Sequence, residues 1–365
     1  MSNRAILFLT SIIISLNICA QDPIEGPSTF SIQLTSELCT LDPEYKTIYE
    51  ENVDLDRRVR IITANGIPSH QTGAFPNAGN PNTIRPQETT YEIPLQPILL
   101  ENKITAQGKR FGVLFSGVEL DPFTAEYFQG TNGSNRDWNI TTLTSTVNLG
   151  LDCNNAHVQP SGKYHYHGTP NAFLQDLGVD GSKMVKIGYA ADGFPIYYKY
   201  GMDSNGEIKE LKSAYDLKAG ERSGDGKTAP NGKYDGTYFQ DYEYVEGLST
   251  LDECNGVWGR TPDNENEYYY VITDNFPSSP ICFSATPSQD FMTHQGPSQG
   301  GNRPPSGDRP NPTEILNKMD GNHDGKISRS EARGPLHDHF DKVDKDGDGF
   351  ISRSELEQMP PPNRR

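Results

Sequence analysis

Between Thr29 and about Phe283 the chain contains no long stretch whose apolar residues recur every three to four positions, so it lacks the signature of long amphipathic helices. What recurs instead is short runs of β-branched and aromatic residues cut by turn signals. Arg58-Val59-Arg60-Ile61-Ile62-Thr63 precedes Asn65-Gly66, and Arg110-Phe111-Gly112-Val113-Leu114-Phe115 precedes Ser116-Gly117. Such residues suit a pleated, half-buried surface, and the dipeptides after them reverse the chain. With 35 Gly, 27 Pro and a hydrophobic share of 33% in 365 residues, turns between strands are the expected architecture. The fold class is therefore mainly β, with a large sandwich- or barrel-like domain over residues 21–283. Short helical turns are expected only near Asn171 to Leu177 and Lys209 to Leu217.

Beyond Phe283 the composition changes. Residues 284–311 are dominated by Pro, Gly, Ser and Gln, which reads as a flexible linker. Helical patterning starts at Thr313, and residues 312–365 hold two twelve-residue loops of EF-hand type. Calcium takes six to eight oxygens, and such a loop presents them at alternating positions before a closing glutamate. The first loop offers Asp320, Asn322, Asp324, the Lys326 carbonyl, Ser328 through water, and Glu331. The second offers Asp344, Asp346, Asp348, the Phe350 carbonyl, Ser352 and Glu355. Gly325 and Gly349 occupy the sixth positions, where a left-handed backbone is needed. Ile327 and Ile351 are placed to bridge the loops over Ile315, Leu316, Met319, Phe340, Val343 and Leu356. This predicts a small all-α EF-hand pair that binds calcium ions. Only residues 332–343 join the loops, and Met319 and Met359 are the segment's only methionines, so a structural role is expected rather than a methionine-lined switch.

The formal charge of −17 is concentrated: residues 1–20 carry +1, 284–311 carry none and 312–365 carry −2, leaving −16 on residues 21–283. An acidic surface of this kind disfavours nucleic acid and anionic membranes. The first twenty residues have a basic start, an apolar run from Ala5 to Ile18 and Ala20 at a cleavage point, the pattern of a removable export signal. The run is too short and too interrupted for a spanning helix, so no membrane span is expected in the mature chain. Cys39, Cys153, Cys254 and Cys282 remain, an even number that fits two disulfides in a secreted or extracytoplasmic protein. Three pairings are possible. Proximity in sequence favours Cys254 with Cys282, leaving Cys39 with Cys153.

Three of the eight histidines, His157, His165 and His167, fall close together. On a strand, His165 and His167 share one face while Tyr164 and Tyr166 take the other. Pro160-Ser161-Gly162 would turn the chain so that His157 returns beside them, on the same face or the opposite one according to register. Converging imidazoles suit copper, zinc or iron, with Asp152, Asp192 or Asp274 as further ligands or ring-orienting partners. The competing reading is a structural hairpin whose histidines make ordinary hydrogen bonds. Two stretches also echo each other: Leu151-Asp152-Cys153-Asn154, Tyr164-His165-Tyr166-His167 and Asp192-Gly193-Phe194-Pro195, against Leu251-Asp252-Glu253-Cys254-Asn255, Tyr268-Tyr269-Tyr270-Val271 and Asp274-Asn275-Phe276-Pro277. They represent either a duplicated unit or chance similarity of turn motifs.

The segment from Cys153 to Gly168, with Gly188 to Tyr197, resembles the YHYH domain family. Asn65-Gly66-Ile67-Pro68 with His70, Asn80-Pro81-Asn82, Leu251 to Gly256 and Phe276-Pro277 leading to Cys282-Phe283 extend the likeness over about residues 58–285. The resemblance implies an exported protein of a largely uncharacterised family often proposed to bind metal. Tyr269 departs from it, for a histidine is expected there. Two functions compete. One is a secreted calcium-binding metalloprotein, which as an enzyme would be a metal-dependent oxidoreductase or hydrolase. The other is a non-catalytic acidic matrix protein whose partners are glycan, mineral or another exported protein.

Overall fold

The computed structural model describes residues 39–142 and 147–292 and, in the C-terminal region, Leu316 and residues 319–320, 324–332, 335–338 and 340–357. It divides into two compact units, 1–294 and 295–365. The expected signal segment, residues 293–311 of the linker, Ile315 and Asn322 lie outside the described residues.

The first unit starts with three antiparallel strands, β1 (Tyr49–Asp54), β2 (Val59–Ala64) and β3 (Thr89–Pro94). Alternation along β2 and β3 sends Ile62, Ala64, Tyr91 and Ile93 into the core. An eight-stranded sheet follows, built from β4 (Gly112–Leu114), β5 (Glu119–Leu120), β6 (Ala156–Val158), β7 (Tyr164–Tyr166), β8 (Val185–Ala190), β9 (Pro195–Tyr198), β10 (Gly256–Gly259) and β11 (Glu267–Ile272). Its spatial order is β10-β11-β9-β8-β4-β5-β7-β6, with β10 and β6 as edges, so the sheet is open rather than a closed barrel. The three-stranded sheet meets it where Tyr91 donates to Glu119 Oε1 (2.6 Å) and Arg60 lies 3.8 Å from the Tyr189 ring centre.

That order is symmetric about the β4–β8 junction, and the register confirms it. Gly112 pairs with Ala190 and Gly188 with Leu114 across the junction, and a Cβ on either glycine would collide with a backbone carbonyl of the facing strand. Each half then repeats one plan. A hairpin (β4–β5 or β8–β9) pairs in parallel with the second strand of another hairpin (β6–β7 or β10–β11). The echo around Asp152 and Asp252 and around Tyr164 and Tyr268 is therefore a duplicated structural unit. Asp192-Gly193-Phe194-Pro195, by contrast, lies in the β8–β9 turn whereas Asp274-Asn275-Phe276-Pro277 follows β11, so that part of the echo does not correspond.

One face of the sheet carries Tyr164, Tyr166, Tyr268 and Tyr270 into the main core, with Phe111, Phe173 and Phe283 among their neighbours. α1 (Asn171–Asp176) forms where a helical turn is expected and buries Phe173 and Leu174. The helix expected at Lys209 to Leu217 is replaced by strands Ile208–Glu210 and Tyr215–Leu217, which pair with Tyr200–Met202 and Tyr242–Tyr244. Those distant partners satisfy the backbone in place of local helical bonds. Packing also continues past Phe283. Ser284, Ala285 and Phe291 are buried, Phe291 stacks on Tyr91 at 4.5 Å, and the Arg110 amide donates to the Phe291 carbonyl. The start of the expected linker thus belongs to the domain.

Both disulfides have the favoured pairing, Cys39–Cys153 and Cys254–Cys282. Among the described residues no helix is long and apolar enough to cross a membrane.

In the second unit β12 (Lys326–Ser328) pairs antiparallel with β13 (Phe350–Ser352), with Ile327 opposite Ile351. Around this bridge lie α2 (Pro335–Asp338), α3 (Phe340–Val343) and α4 (Arg353–Glu357). Leu316, Ile327, Leu336, Phe340, Val343, Ile351 and Leu356 form its core, with Met319 packed against them. The all-α expectation gives way to short helices around a two-stranded centre.

Candidate metal centre

The β6–β7 hairpin settles the register question, because His157 lies directly opposite His165. Residues facing each other across an antiparallel pair point to the same side, so all three imidazoles converge. Their ring centres are 4.7 Å apart in every pair, His165 and His167 are buried and His157 is half-buried. One ligand nitrogen from each lies within 4.8 Å of the others, and His157 Nε2 is 3.1 Å from His167 Nε2.

The remaining ring nitrogens are partly fixed. His157 Nδ1 is 2.9 Å from the Leu149 carbonyl, to which it donates, leaving Nε2 as the lone-pair atom aimed into the cluster. His165 Nδ1 lies 3.3 Å from the Lys163 carbonyl. Among the described residues His167 Nδ1 is buried with no hydrogen-bond partner of ordinary geometry. Burial pushes all three imidazoles below their ordinary pKa, His165 and His167 strongly so, and the other imidazoles and the Arg110 guanidinium add to the effect on those two. At neutral pH the triad is uncharged, the state in which imidazole ligates a metal.

The three carboxylates nominated from sequence do other work. Asp152 anchors the turn into β6: its Oδ1 accepts from the amides of Asn154 (2.9 Å) and Ala156 (3.3 Å), its Oδ2 from the Gly73 amide (3.0 Å) and the Tyr164 hydroxyl (2.8 Å). Asp192 accepts from the Tyr270 hydroxyl and the Ala285 amide, and Asp274 from Tyr198 and Lys199. The carboxylates that do share the neighbourhood are Glu119, in register with His165 on the parallel strand β5, and Asp121 just beyond it. Arg110 bonds to both, and Lys163 bonds to Glu119 at 2.8 Å. Burial lifts Asp121 to about 7 despite the Arg110 guanidinium. Sequence reasoning missed this group because parallel pairing of β5 with β7 is a long-range event that no local spacing announces.

The other half of the sheet supplies an internal control. Asp252 anchors the turn into β10 as Asp152 does for β6, accepting from the amides of Cys254 and Gly256 and from the Tyr268 hydroxyl. Asn155 and Asn255 both have positive φ (52° and 53°), and their carbonyls accept from the amides of His167 and Val271 respectively. On this matching, His157, His165 and His167 correspond to Val257, Tyr269 and Val271. Those three pack with Tyr197, Met184 and Leu251 in an apolar cluster. The departure noted at Tyr269 is thus part of a site that holds only hydrophobic side chains.

The family model described as YHYH protein matches residues 90–285, more than half of the chain. The chain belongs to the YHYH protein family. A second model, described as EF hand, matches residues 314–331 and 336–360. The chain is thus a calcium-binding protein. No curated protein and no solved structure matches it.

Around the loops of its EF-hand region, Asp320 accepts from the amides of Asp324 and Gly325, and Asp344 from those of Gly347 and Gly349. Glu331 and Glu355 each accept from the amide and hydroxyl of a loop serine, Ser328 and Ser352. Gly325 and Gly349 have φ of +82° and +84°. Carboxylate oxygens of Asp344, Asp346 and Asp348 lie within 4.8 Å of one another. Lys326 Nζ is 2.8 Å from Asp348 Oδ2, which links the two loops.

Proposed function

We propose that His157, His165 and His167 form the transition-metal site of an exported metalloprotein, and that calcium is held separately by the EF-hand loops. The carrying observation is the contrast between halves: one plan, with three converging neutral imidazoles in one copy and a cluster of valine, leucine, methionine and tyrosine side chains in the other. Because the second copy folds without them, the histidines are not required by the architecture.

The donor set fits a borderline cation. At metal–nitrogen bonds of about 2.0–2.1 Å, two ligands of a tetrahedral ion stand about 3.3–3.4 Å apart, close to the separation of His157 Nε2 and His167 Nε2. Three imidazoles with no thiolate and no carboxylate in the set suit copper or zinc. Held by these three residues, such an ion would supply Lewis acidity, or with copper one-electron chemistry. The chain's own contribution is to hold the rings neutral and oriented, with the Arg110, Glu119 and Asp121 group balancing charge beside them. Calcium ligation is assigned to Asp320, Asn322, Asp324, the Lys326 carbonyl, Ser328 and Glu331, and to Asp344, Asp346, Asp348, the Phe350 carbonyl, Ser352 and Glu355. Export is supported by the two disulfides.

Metal analysis of protein purified without a histidine tag tests the reading. Near-stoichiometric copper or zinc is expected in the wild type, and its loss in His165→Ala with His167→Ala. Absence of metal from the wild type, or its retention in the double variant, would falsify the assignment.

A further inference from the structure

Lys326 faces both calcium loops at once. It is the seventh residue of the first loop, where its main-chain carbonyl is the assigned ligand, and it opens β12 opposite Ser352 of the second loop. Its side chain leaves the first loop. Nζ donates to Asp348 Oδ2 at 2.8 Å and lies 5.5 Å from the centre of the Phe350 ring. Both partners belong to the second loop, as its fifth and seventh residues. Arg329, the other permanent cation of the first loop, is bonded instead to Asp341, which lies outside both loops.

The place the ammonium reaches is crowded with negative charge. The second loop carries four carboxylates, Asp344, Asp346, Asp348 and Glu355, against three in the first, Asp320, Asp324 and Glu331. Oxygens of Asp344, Asp346 and Asp348 lie within 4.8 Å of one another, and like charges that close repel. An ammonium beside them acts twice. It relieves their mutual repulsion when no ion is bound, and it repels a divalent cation that enters. Both effects lower the affinity for calcium, which in such loops is set by the charge and rigidity of the ligands. The carboxylate has room for both cations. It offers about four lone-pair sites, and Asp348 uses one on the Phe350 amide (2.8 Å) and one on Lys326, so the ammonium tunes the site and does not block it.

We infer that Lys326 is an internal counter-ion of the second loop, holding down that loop's calcium affinity from a position in the first. The inference rests on the calcium ligation assigned above and names a residue that regulates it. The Lys326 and Asp348 side chains are 45% and 38% exposed, so the effect has the scale of a surface ion pair, about threefold in affinity.

The test is calorimetric titration of the full-length chain with calcium, after chelation, in two backgrounds. Glu331→Gln removes the closing ligand of the first loop so that the second is read, and Glu355→Gln does the reverse. In the Glu331→Gln background, adding Lys326→Gln should strengthen binding about threefold, whereas Lys326→Arg, which keeps the charge, should leave it as it was. In the Glu355→Gln background the gain should be smaller. The gain should also shrink as salt rises from about 0.1 M to about 1 M and the Debye length falls from about 10 Å to about 3 Å. Circular dichroism confirms that each variant is folded. Calcium bound with unchanged affinity in Lys326→Gln, or an equal gain in both backgrounds, overturns the inference and leaves the calcium assignment standing. If either closing-glutamate variant silences both loops, the comparison is made in the otherwise unaltered chain. There a gain confined to one of the two sites supports the inference, and no gain overturns it. A wild type that binds no calcium overturns the assignment and the inference with it.

Discussion

The two halves of the eight-stranded sheet share their strand pairing, their aspartate-anchored turns and their inward tyrosines, yet differ in what they bury on the opposite face. One buries His165 and His167 with His157 half-buried beside them; the other buries Tyr269 and Val271 with Val257 half-buried beside them. Burying unpaired polar groups opposes folding, whereas the apolar copy stabilises it by transfer from water. The difference teaches that the fold is specified by what the halves share, and that the histidines answer to a separate demand.

The largest expected effect comes from making the second half imitate the first. Val257→His, Tyr269→His and Val271→His together should destabilise the metal-free domain by about 5 kcal/mol, since each buried imidazole left unsatisfied costs about 1–3 kcal/mol. Chemical denaturation in chelator measures this, and added zinc should restore part of the loss if the two backbones match as closely as their hydrogen bonds indicate. No zinc effect would show that the match ends at the backbone.

Next come the turn anchors. Asp152→Ala and Asp252→Ala should each cost about 3–4 kcal/mol, because each strands turn amides and a tyrosine hydroxyl. Only the first should also lower metal content, since only its hairpin carries the triad. Equal metal loss in both variants would break the comparison.

A third test uses pH. Tyr166 donates to Ser116 in the first half, while Tyr270 donates to Asp192 in the second. Burial raises Asp192 from 3.8 to about 6. The unfolded chain releases this proton near pH 3.8 and the folded chain near pH 6, so the contribution of Asp192 to stability is fully present below about pH 4 and is lost as pH rises through about 6. The fall amounts to about 3 kcal/mol. Asp192→Asn should remove that component from the pH profile of denaturation midpoints. Asp121 contributes a component of the same sign up to about pH 7, opposed by the buried imidazoles, whose lowered pKa values make stability rise with pH through their ordinary range.

The smallest effect concerns the calcium unit. Calcium at about one hundred times its dissociation constant should stabilise it by about 2.7 kcal/mol. Calorimetry with and without chelator reads this, and Glu355→Gln should shrink the shift. The transition of the first unit should stay where it is.

Legibility from sequence followed the range of the interactions. The twelve-residue loops and the convergence of the histidines could be read because the residues concerned lie within a few positions of one another, where period and turn geometry act directly. The cysteine pairing was readable for a similar reason: one pair lies close in sequence and the other follows by elimination. The role of Asp152 was not, because Tyr164 and Gly73 reach it only after the hairpin closes and the chain before it docks. Arg110, Glu119 and Asp121 come beside the triad through a parallel strand pair. The domain edge was misplaced because Ala285 and Phe291 are isolated apolar residues in a Pro- and Ser-rich stretch, and only Tyr91 and the Arg110 amide give them partners. The repeat was visible in its turn residues but became decisive only when strand order and register matched.

Anomalous scattering from crystals of untagged protein, recorded on either side of the copper and zinc absorption edges, tests the central claim most directly. The account predicts one strong peak coordinated by His157, His165 and His167, and none between Val257, Tyr269 and Val271. A triad with no anomalous peak in crystals grown with copper or zinc present, its imidazoles hydrogen-bonded only to each other and to Leu149 and Lys163, would contradict it.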